Sequence, residues 1–390
     1  MSTRMHSRTP GRTGRTPAGF SLIELMVGIV VSLIGSLAML LTFAQFEAQK
    51  RRTTAANDRQ ENGSFAAVEL ERVIRTAGSG LVQGKNHGLS GCPIVASANG
   101  TPLLPIPDAL PAPFDAVPRT VRAIPILVRD GGRGPNGSKP DTLSVIAGNP
   151  AVRVFQATVQ PGTTGSLLTV DNAVGIQAGD GGADYLLGTP NASGNCVLGL
   201  LNRSVSSAPP TFSLAAAPSN GFIGTPKVFD LGQNPTLALY GIDTSQTPNV
   251  LVRYDLLGGT QASIADGIVM LKAVYGVDDG AAAGLPAGGV ADDGVIDEWV
   301  SPTGAWDFDQ LSSGTSQAAA AVRQIKAVRV ALVAQSEIAE RLQDYSGPEQ
   351  MDLFPDLGSS KTTIALSPHF RYKVYDVTIP VRNALVTRYF

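Results

Sequence analysis

The longest apolar run of the chain lies near its amino terminus, from Gly19 to Phe46. Glu24 is the only charged residue in it. About 20 consecutive apolar residues are enough to cross the ~30 Å hydrocarbon layer of a membrane. The leader before this run carries four arginines and no acidic residue: Arg4, Arg8, Arg12 and Arg15. The pattern predicts a membrane-spanning helix over residues 20–46 that anchors the protein.

The next segment, residues 47–78, is predicted to continue the helix with an apolar stripe facing the protein. The stripe follows the i, i+4, i+7, i+8, i+11 spacing at Ala66, Leu70, Val73, Ile74 and Ala77. Glu71 and Arg75 lie four residues apart on another face, where they can form an ion pair. Gly63 weakens the middle of this helix, and Gly78 begins a glycine-rich stop. We expect this part to pack on a globular domain.

Beyond the helix, glycine and proline punctuate the chain, which predicts short strands joined by turns. Loops with at most brief strands are expected to about residue 118. Candidate strands then cover residues 121–128, 141–147, 151–159, 166–170, 184–187, 195–202, 250–256 and 268–277. The glycine-rich segment 130–135 lacks the Lys-Ser/Thr pair of a phosphate-binding loop and is interpreted as an ordinary turn.

The last third contains one more helix, predicted over residues 313–324 because an alanine run follows a Ser/Thr start. Strands are predicted at 325–333 and 369–381 from their β-branched spacing. A long helix followed by many strands indicates an α+β fold, in which the amino-terminal helix packs on a β-rich globular domain over residues 79–390.

The charge balance argues against a protein that binds nucleic acid along its whole surface. Loss of the leader, residues 1–19, would leave 26 of the 30 basic residues against 32 acidic ones, a net charge of about −6. Proteins that bind nucleic acid along their surface are typically basic. We therefore expect no direct nucleic-acid binding.

Two cysteines, Cys92 and Cys196, are far apart in the sequence. In an oxidising compartment such a pair is commonly a disulfide, and closing a loop of ~100 residues could add up to ~4.7 kcal/mol in the chain-entropy model. Two separate buried thiols are the alternative that spacing leaves open.

The sequence offers little catalytic chemistry. His6 lies in the leader, and neither His87 nor His369 has a Cys, Asp or Glu at zinc-ligand spacing. No Gly-x-Ser-x-Gly elbow with a plausible histidine partner occurs. The acidic stretches 278–280 and 292–298 suit a solvated turn better than calcium, because their spacing fails the EF-hand pattern. We predict no enzymatic activity, no cofactor and no metal site.

Gly-Phe-Ser-Leu-Ile-Glu-Leu at residues 19–25 resembles the class III signal of type IV prepilins. The resemblance implies cleavage after Gly19 by a prepilin peptidase and methylation of the new terminus at Phe20. It also implies that Glu24 meets the amino terminus of a neighbouring subunit during assembly. An ordinary signal peptide cut after Ala38, or a plain signal anchor, would share the basic leader and apolar core. Cleavage after Ala38 would leave an apolar segment at the new amino terminus.

Several further motifs, in this order, resemble the PilW family of type IV pilus assembly proteins. On the helix they are Gln60-Glu61-Asn62-Gly63, Phe65-Ala66 and Arg75-Thr76-Ala77-Gly78. Later they are Tyr275-Gly276-Val277-Asp278, the acidic segment 292–297, the strand 328–333 and Val381-Arg382-Asn383. The resemblance is strong over residues 19–78, moderate over 268–383 and thin between them.

This resemblance implies a minor pilin (a fimbrial subunit of low abundance) that helps to prime the pilus or forms its tip complex, supporting twitching motility and adhesion. Its partners would be other minor pilins, the major pilin, the assembly platform and the prepilin peptidase. It would sit in the inner membrane as a single-pass protein with a periplasmic domain, and then in the pilus. A pseudopilin of a type II secretion system and a membrane-tethered binding module for DNA or a surface are the alternatives.

Overall fold

The computed structural model describes residues 19, 21–81, 91–98, 101–134, 138–149, 156–160, 166–178, 184–188, 194–215, 227–280, 291, 293–343 and 345–385. The chain divides into two compact units, residues 1–54 and residues 55–390. Helix α1, Leu22–Thr76, begins in the first unit and ends in the second.

The second unit is built mainly from strands. The other described α-helices are α2 (Phe308–Leu311), α3 (Ser316–Gln324) and α4 (Arg382–Leu385), and two short 3₁₀-helices cover Gly304–Trp306 and Gly358–Ser360. In chain order the described strands are β1 (Ile94–Ala98), β2 (Thr101–Leu104), β3 (Ile126–Arg129), β4 (Thr142–Ala147), β5 (Gln156–Thr158), β6 (Leu167–Thr169), β7 (Tyr185–Gly188), β8 (Cys196–Ser207), β9 (Pro210–Leu214), β10 (Lys227–Asp230), β11 (Thr236–Asp243), β12 (Val250–Asp255), β13 (Thr260–Asp266), β14 (Ile268–Val277), β15 (Glu298–Val300), β16 (Ile325–Gln335), β17 (Gln350–Leu353), β18 (Thr362–Ala365) and β19 (Tyr372–Pro380).

These strands form three sheets and a hairpin within the described residues. The first sheet has the order β2-β1-β8-β7-β10-β5, with β9 paired to β8 and to β6. Its β1–β8 pair is parallel. The second sheet, β13-β12-β11-β4-β3, and the third sheet, β15-β14-β16-β19, are antiparallel, and β17 pairs with β18.

The predicted helix stripe is confirmed. Its residues lie in the main hydrophobic core together with strands of the second and third sheets, such as those carrying Tyr240, Val328 and Ile379. Complete burial of a Leu or Ile side chain contributes about 1.5–3 kcal/mol. On its other face the third sheet is covered by the β17–β18 hairpin, through a smaller core that includes Met270, Val333 and Ile364. The two central strands of the third sheet, β14 and β16, are thus buried on both faces, between the helix side and the hairpin.

The α+β class is confirmed, and β4, β6, β7, β12 and β14 match the predicted strands to within about a residue at each end. The prediction for 121–128 is wrong in its first half, because β3 begins at Ile126. Pro125 directly before it has no N–H to donate to a ladder. In the predicted strand 151–159, residues 151–155 lie outside the described residues and Gln156–Thr158 form β5.

Several strands were missed, including β9, β10, β11, β13 and the β17–β18 hairpin. The most important strand that the prediction omits is β11, since it lies in the middle of the second sheet and is almost wholly buried. A strand covered on both faces shows no alternation of apolar and polar residues, so its pattern is ambiguous. Other bounds differ: β8 continues to Ser207, α3 begins only after its N-cap Thr315, and β19 covers Tyr372–Pro380 rather than 369–381.

Candidate functional site

The first unit presents an apolar helix whose described side chains are exposed. All residues from Ser21 to Phe46 are exposed within the unit. The most apolar 18-residue window of α1 has a mean hydropathy of 2.4. At ~1.5 Å per residue, Leu22 to Phe46 extends about 37 Å, which exceeds the ~30 Å hydrocarbon layer. The helix is long and apolar enough to cross a membrane.

Glu24 lies in the first turn of this helix, exposed among apolar neighbours. The helix starts where the Leu25 N–H donates to the Ser21 carbonyl at 3.1 Å. Unpaired N–H groups of a first turn carry partial positive charge and favour a carboxylate there. Gly19, the residue before the expected cleavage point, is exposed, and Phe20 lies outside the described residues. Glu24 is thus displayed at the start of the apolar helix.

The other end of α1 is fastened by the carboxyl-terminal region. Asn383 donates from its Nδ2 to the carbonyls of Ala77 at 2.9 Å and Thr76 at 3.3 Å, at the helix end where carbonyls lack partners in a next turn. The Thr76 carbonyl also accepts the Ser79 N–H at 3.0 Å. Gly78 then turns the chain with φ +78°, a conformation that favours glycine, and donates its N–H to Ile146. The motifs Arg75-Thr76-Ala77-Gly78 and Val381-Arg382-Asn383, some 300 residues apart in sequence, are therefore in contact at the end of α1.

The motif around Tyr275 lies in β14, at the centre of the third sheet. The Tyr275 side chain is fully buried, and its hydroxyl accepts the Val128 N–H at 2.5 Å, which ties β3 to β14. Burial raises the pKa of this phenol above its usual range, so the group stays neutral. Gly276 leaves room for Trp299 and Ile296, whose atoms lie 3.1 Å from the position of an added Cβ.

A buried charge network joins the loop 130–141 to β14. The Lys272 ammonium is fully buried, 2.7 Å from Asp141 Oδ1 and 2.7 Å from the Gly132 carbonyl. Asp141 Oδ2 accepts the Ala273 N–H at 3.0 Å, and Arg133 lies 3.4 Å away. The glycine-rich segment predicted as an ordinary turn thus supplies partners to a buried lysine. The signal for this network was a single lysine in the otherwise apolar strand 268–277.

In the acidic segment after β14, the carboxylates accept hydrogen bonds from backbone N–H groups. Asp278 accepts the N–H groups of Asp293 at 3.1 Å and Gly294 at 2.6 Å, and it lies 3.8 Å from the Lys326 ammonium. Asp297 accepts the Gly280 N–H at 2.7 Å. Among the residues with described positions, no group of three or more His, Cys, Asp or Glu side chains is placed to hold a metal ion. The described part of this segment is a hydrogen-bonded turn.

Cys92 and Cys196 form a disulfide in the structure, with their Cα atoms 5.7 Å apart. Both cysteines are buried, and Cys196 lies opposite Ile94 in the parallel β1–β8 pair. The bond therefore links the segment after α1 to the first sheet. Of the two remaining histidines, His369 is exposed beside the Glu340 carbonyl at 3.1 Å, whereas His87 lies outside the described residues.

Two family models match the chain. That of the type IV pilus-assembly protein W, PilW, matches residues 239–383, which include β14, β16, β19 and Asn383. The prokaryotic N-terminal methylation motif matches residues 15–40, which include Gly19, Phe20 and Glu24. No curated protein and no solved structure matches. PilW proteins are structural components of pilus assembly. Over residues 239–383 the chain is thus similar to PilW-type proteins of type IV pilus assembly, and it carries a prepilin-type amino-terminal signal on an apolar helix suited to a membrane anchor.

Proposed function

We propose that this protein is a minor pilin that primes the pilus or belongs to its tip complex. The observation that carries the proposal is the pairing of a prepilin signal with a PilW region on one chain, joined where Asn383 caps α1. A membrane-anchored helix attached to a domain of this kind is suited to enter a helical bundle with other pilins. Motility and adhesion would then follow from the pilus rather than from chemistry in this subunit.

Processing would begin with cleavage after Gly19 by the prepilin peptidase and methylation of Phe20. The globular unit would lie in the periplasm until the subunit is extracted into the fibre. An unpaired carboxylate is unfavourable inside a membrane, costing on the order of 2.5–3.5 kcal/mol at a helix centre, so Glu24 in the first turn would favour a partner of opposite charge. Pairing with the amino terminus of a neighbouring subunit would neutralise both charges and set the axial register.

The partners in this proposal are other minor pilins, the major pilin and the assembly platform in the inner membrane. The PilW match favours a pilus over a type II secretion system. A marked deletion, complemented with the full-length gene, distinguishes the two. We expect the deletion strain to carry few or no surface pili and to secrete its exported enzymes normally. Normal piliation with loss of enzyme secretion would instead identify a pseudopilin.

Mass spectrometry of the complemented protein tests the processing step. We expect a mature chain that begins at Phe20 with one added methyl group. A mature chain that begins at any other residue would contradict the prepilin mechanism.

A further inference from the structure

An open polar cleft of about 580 Å³ lies between the end of α1 and the second sheet. The helix side contributes Glu69, Arg72, Val73 and Thr76. The opposite side and floor are lined by residues of the sheets and their loops, among them Tyr185, Tyr240, Arg253, Asp255 and Leu257. Its volume is in the range that small ligands and short chain segments fill.

The cleft has both hydrogen-bond donors and acceptors, and its charges balance. On the helix, Arg72 donates to both carboxylate oxygens of Glu69, at 2.7 and 3.0 Å. On β12, Arg253 and Asp255 are farther apart, at 3.7 Å. The Arg253 Nε–H is buried and has no hydrogen-bond partner among the described residues. Because the Arg253 side chain as a whole is 37% exposed, its guanidinium is open to an acceptor that enters the cleft.

An exposed apolar pair flanks the cleft on α1. Phe65 and Val68 are 55% and 62% exposed, although they lie in the half of the helix that packs on the sheets. Residues at i, i+3 and i+7 share one helix face, so this pair is continuous with Arg72 at the mouth of the cleft. Exposed apolar side chains beside a polar rim are typical of protein contact sites.

We propose that this cleft receives an extended, polar segment of another pilin-type subunit, whose adjoining apolar surface covers Phe65 and Val68. A chain segment fits the lining because its backbone is neutral and presents both N–H and C=O groups. A helix or lipid would place apolar groups against the charged walls. This inference rests on the proposed function and names the contact site for its partner.

Crosslinking in cells tests the contact directly. The photoreactive amino acid p-benzoylphenylalanine is placed at Leu257 in the cleft or at Ile338, an exposed apolar residue elsewhere that serves as control. We expect the Leu257 position alone to capture a protein that itself carries a prepilin signal. No protein adduct, a protein without that signal, a saccharide adduct, or equal capture from Ile338 would overturn the proposal.

Filling the cleft provides the second test. A Cβ added at Gly258 lies 3.5 Å or more from its neighbours, so Gly258→Trp can place its ring in the cleft, with Gly258→Ala as the matched control. We expect the tryptophan variant to lower the Leu257 crosslink at least about tenfold, equivalent to ~1.4 kcal/mol, and the alanine variant to leave it unchanged. Unchanged crosslinking in Gly258→Trp would overturn the proposal.

The two proposals fail in different ways. Normal pili in the deletion strain would contradict the proposed function itself. A deletion strain without pili, together with a fully piliated Gly258→Trp strain that still crosslinks, would remove only the cleft as the contact site.

Discussion

The ring of Tyr375 occupies the space that a side chain at position 63 would need. A Cβ built on Gly63 would lie 2.1 Å from Tyr375 Cε2, and the Tyr375 hydroxyl donates to the Gln60 carbonyl at 3.0 Å. The residue that weakens α1 locally is therefore the one that lets β19 approach it. A local cost in helix propensity, about 1 kcal/mol for glycine, is offset by a close contact with the third sheet.

Substitution of this glycine should destabilise the protein. Gly63→Ala would improve helix propensity but clash with Tyr375, and overpacking of this kind costs about 1–3 kcal/mol. Urea unfolding of the full-length protein in detergent measures the loss. Ser64→Ala, at the exposed neighbouring position, is the control. In a Tyr375→Ala background the penalty should vanish; a penalty of the same size there would contradict the clash.

The buried ion pair predicts a large effect for loss of one partner. Lys272→Met would leave Asp141 buried without its ammonium partner, at a cost of about 3–5 kcal/mol in unfolding free energy. The matched control is Lys361→Met, which removes an exposed pair with Asp352 at 3.1 Å. Such surface pairs contribute about 0–1 kcal/mol. Equal losses in the two variants would show that the buried network carries no special weight.

Asp230 predicts a pH dependence of stability. Burial raises the pKa of its carboxyl to about 7; the Gly232 N–H opposes the shift and the Asp184 charge adds to it. As the pH rises, the carboxyl of the unfolded chain, with a pKa near 3.8, ionises at a lower pH than that of the folded protein. Stability from this group is therefore complete below about pH 4 and lost as the pH rises to about 7.

The substitution Asp230→Asn should remove this dependence. At pH 8 we expect the variant to be more stable than the parent protein by up to about 4 kcal/mol, whereas at pH 4 the two should converge. Asp243→Asn is the control of opposite sign, because hydrogen bonds from Ser245 and Gln246 lower the Asp243 pKa. Thermal unfolding across pH 4–8 measures both. A constant difference between Asp230→Asn and the parent at all pH values would contradict the titration.

The disulfide predicts sensitivity to reduction. Cys92 and Cys196 are 104 residues apart, and a loop of that size is worth up to about 4.7 kcal/mol in the chain-entropy model. Dithiothreitol should therefore lower the melting temperature of the parent protein. The Cys92→Ser, Cys196→Ser double variant should melt at the reduced value with or without reductant. A parent melting curve that reductant leaves unchanged would contradict this contribution.

Glu24 predicts separate effects on processing and on assembly. Glu24→Val should still be cleaved, because Gly19 is intact, but it should assemble poorly because no carboxylate remains to pair with a neighbouring amino terminus. Leu25→Val, an apolar exchange at the next position, is the control. The mass of the mature chain and the number of surface pili are the measurements. Normal piliation by Glu24→Val would count against the pairing role.

Local patterns accounted for much of the fold. The apolar run at residues 19–46, the stripe from Ala66 to Ala77 and the strands β12 and β14 were recognisable from composition and period alone. Strand β11 escaped because it is covered on both faces, and the β17–β18 hairpin because its short strands lie between proline breaks. For the candidate site, the prepilin motif was visible in sequence, whereas the cleft was not, since its walls come from distant segments.

The amino-acid order by itself determined the anchor, its single acid at Glu24 and the α+β class, because hydropathy and periodicity act between near neighbours. Only the tertiary structure decided that Tyr375 lies against Gly63 and that Lys272 is buried against Asp141, 131 residues away. A local sequence pattern does not predict which distant side chain will pack against a glycine. It also does not predict which carboxylate will pair with a buried lysine. Those choices are made when the sheets close on the helix and water is excluded.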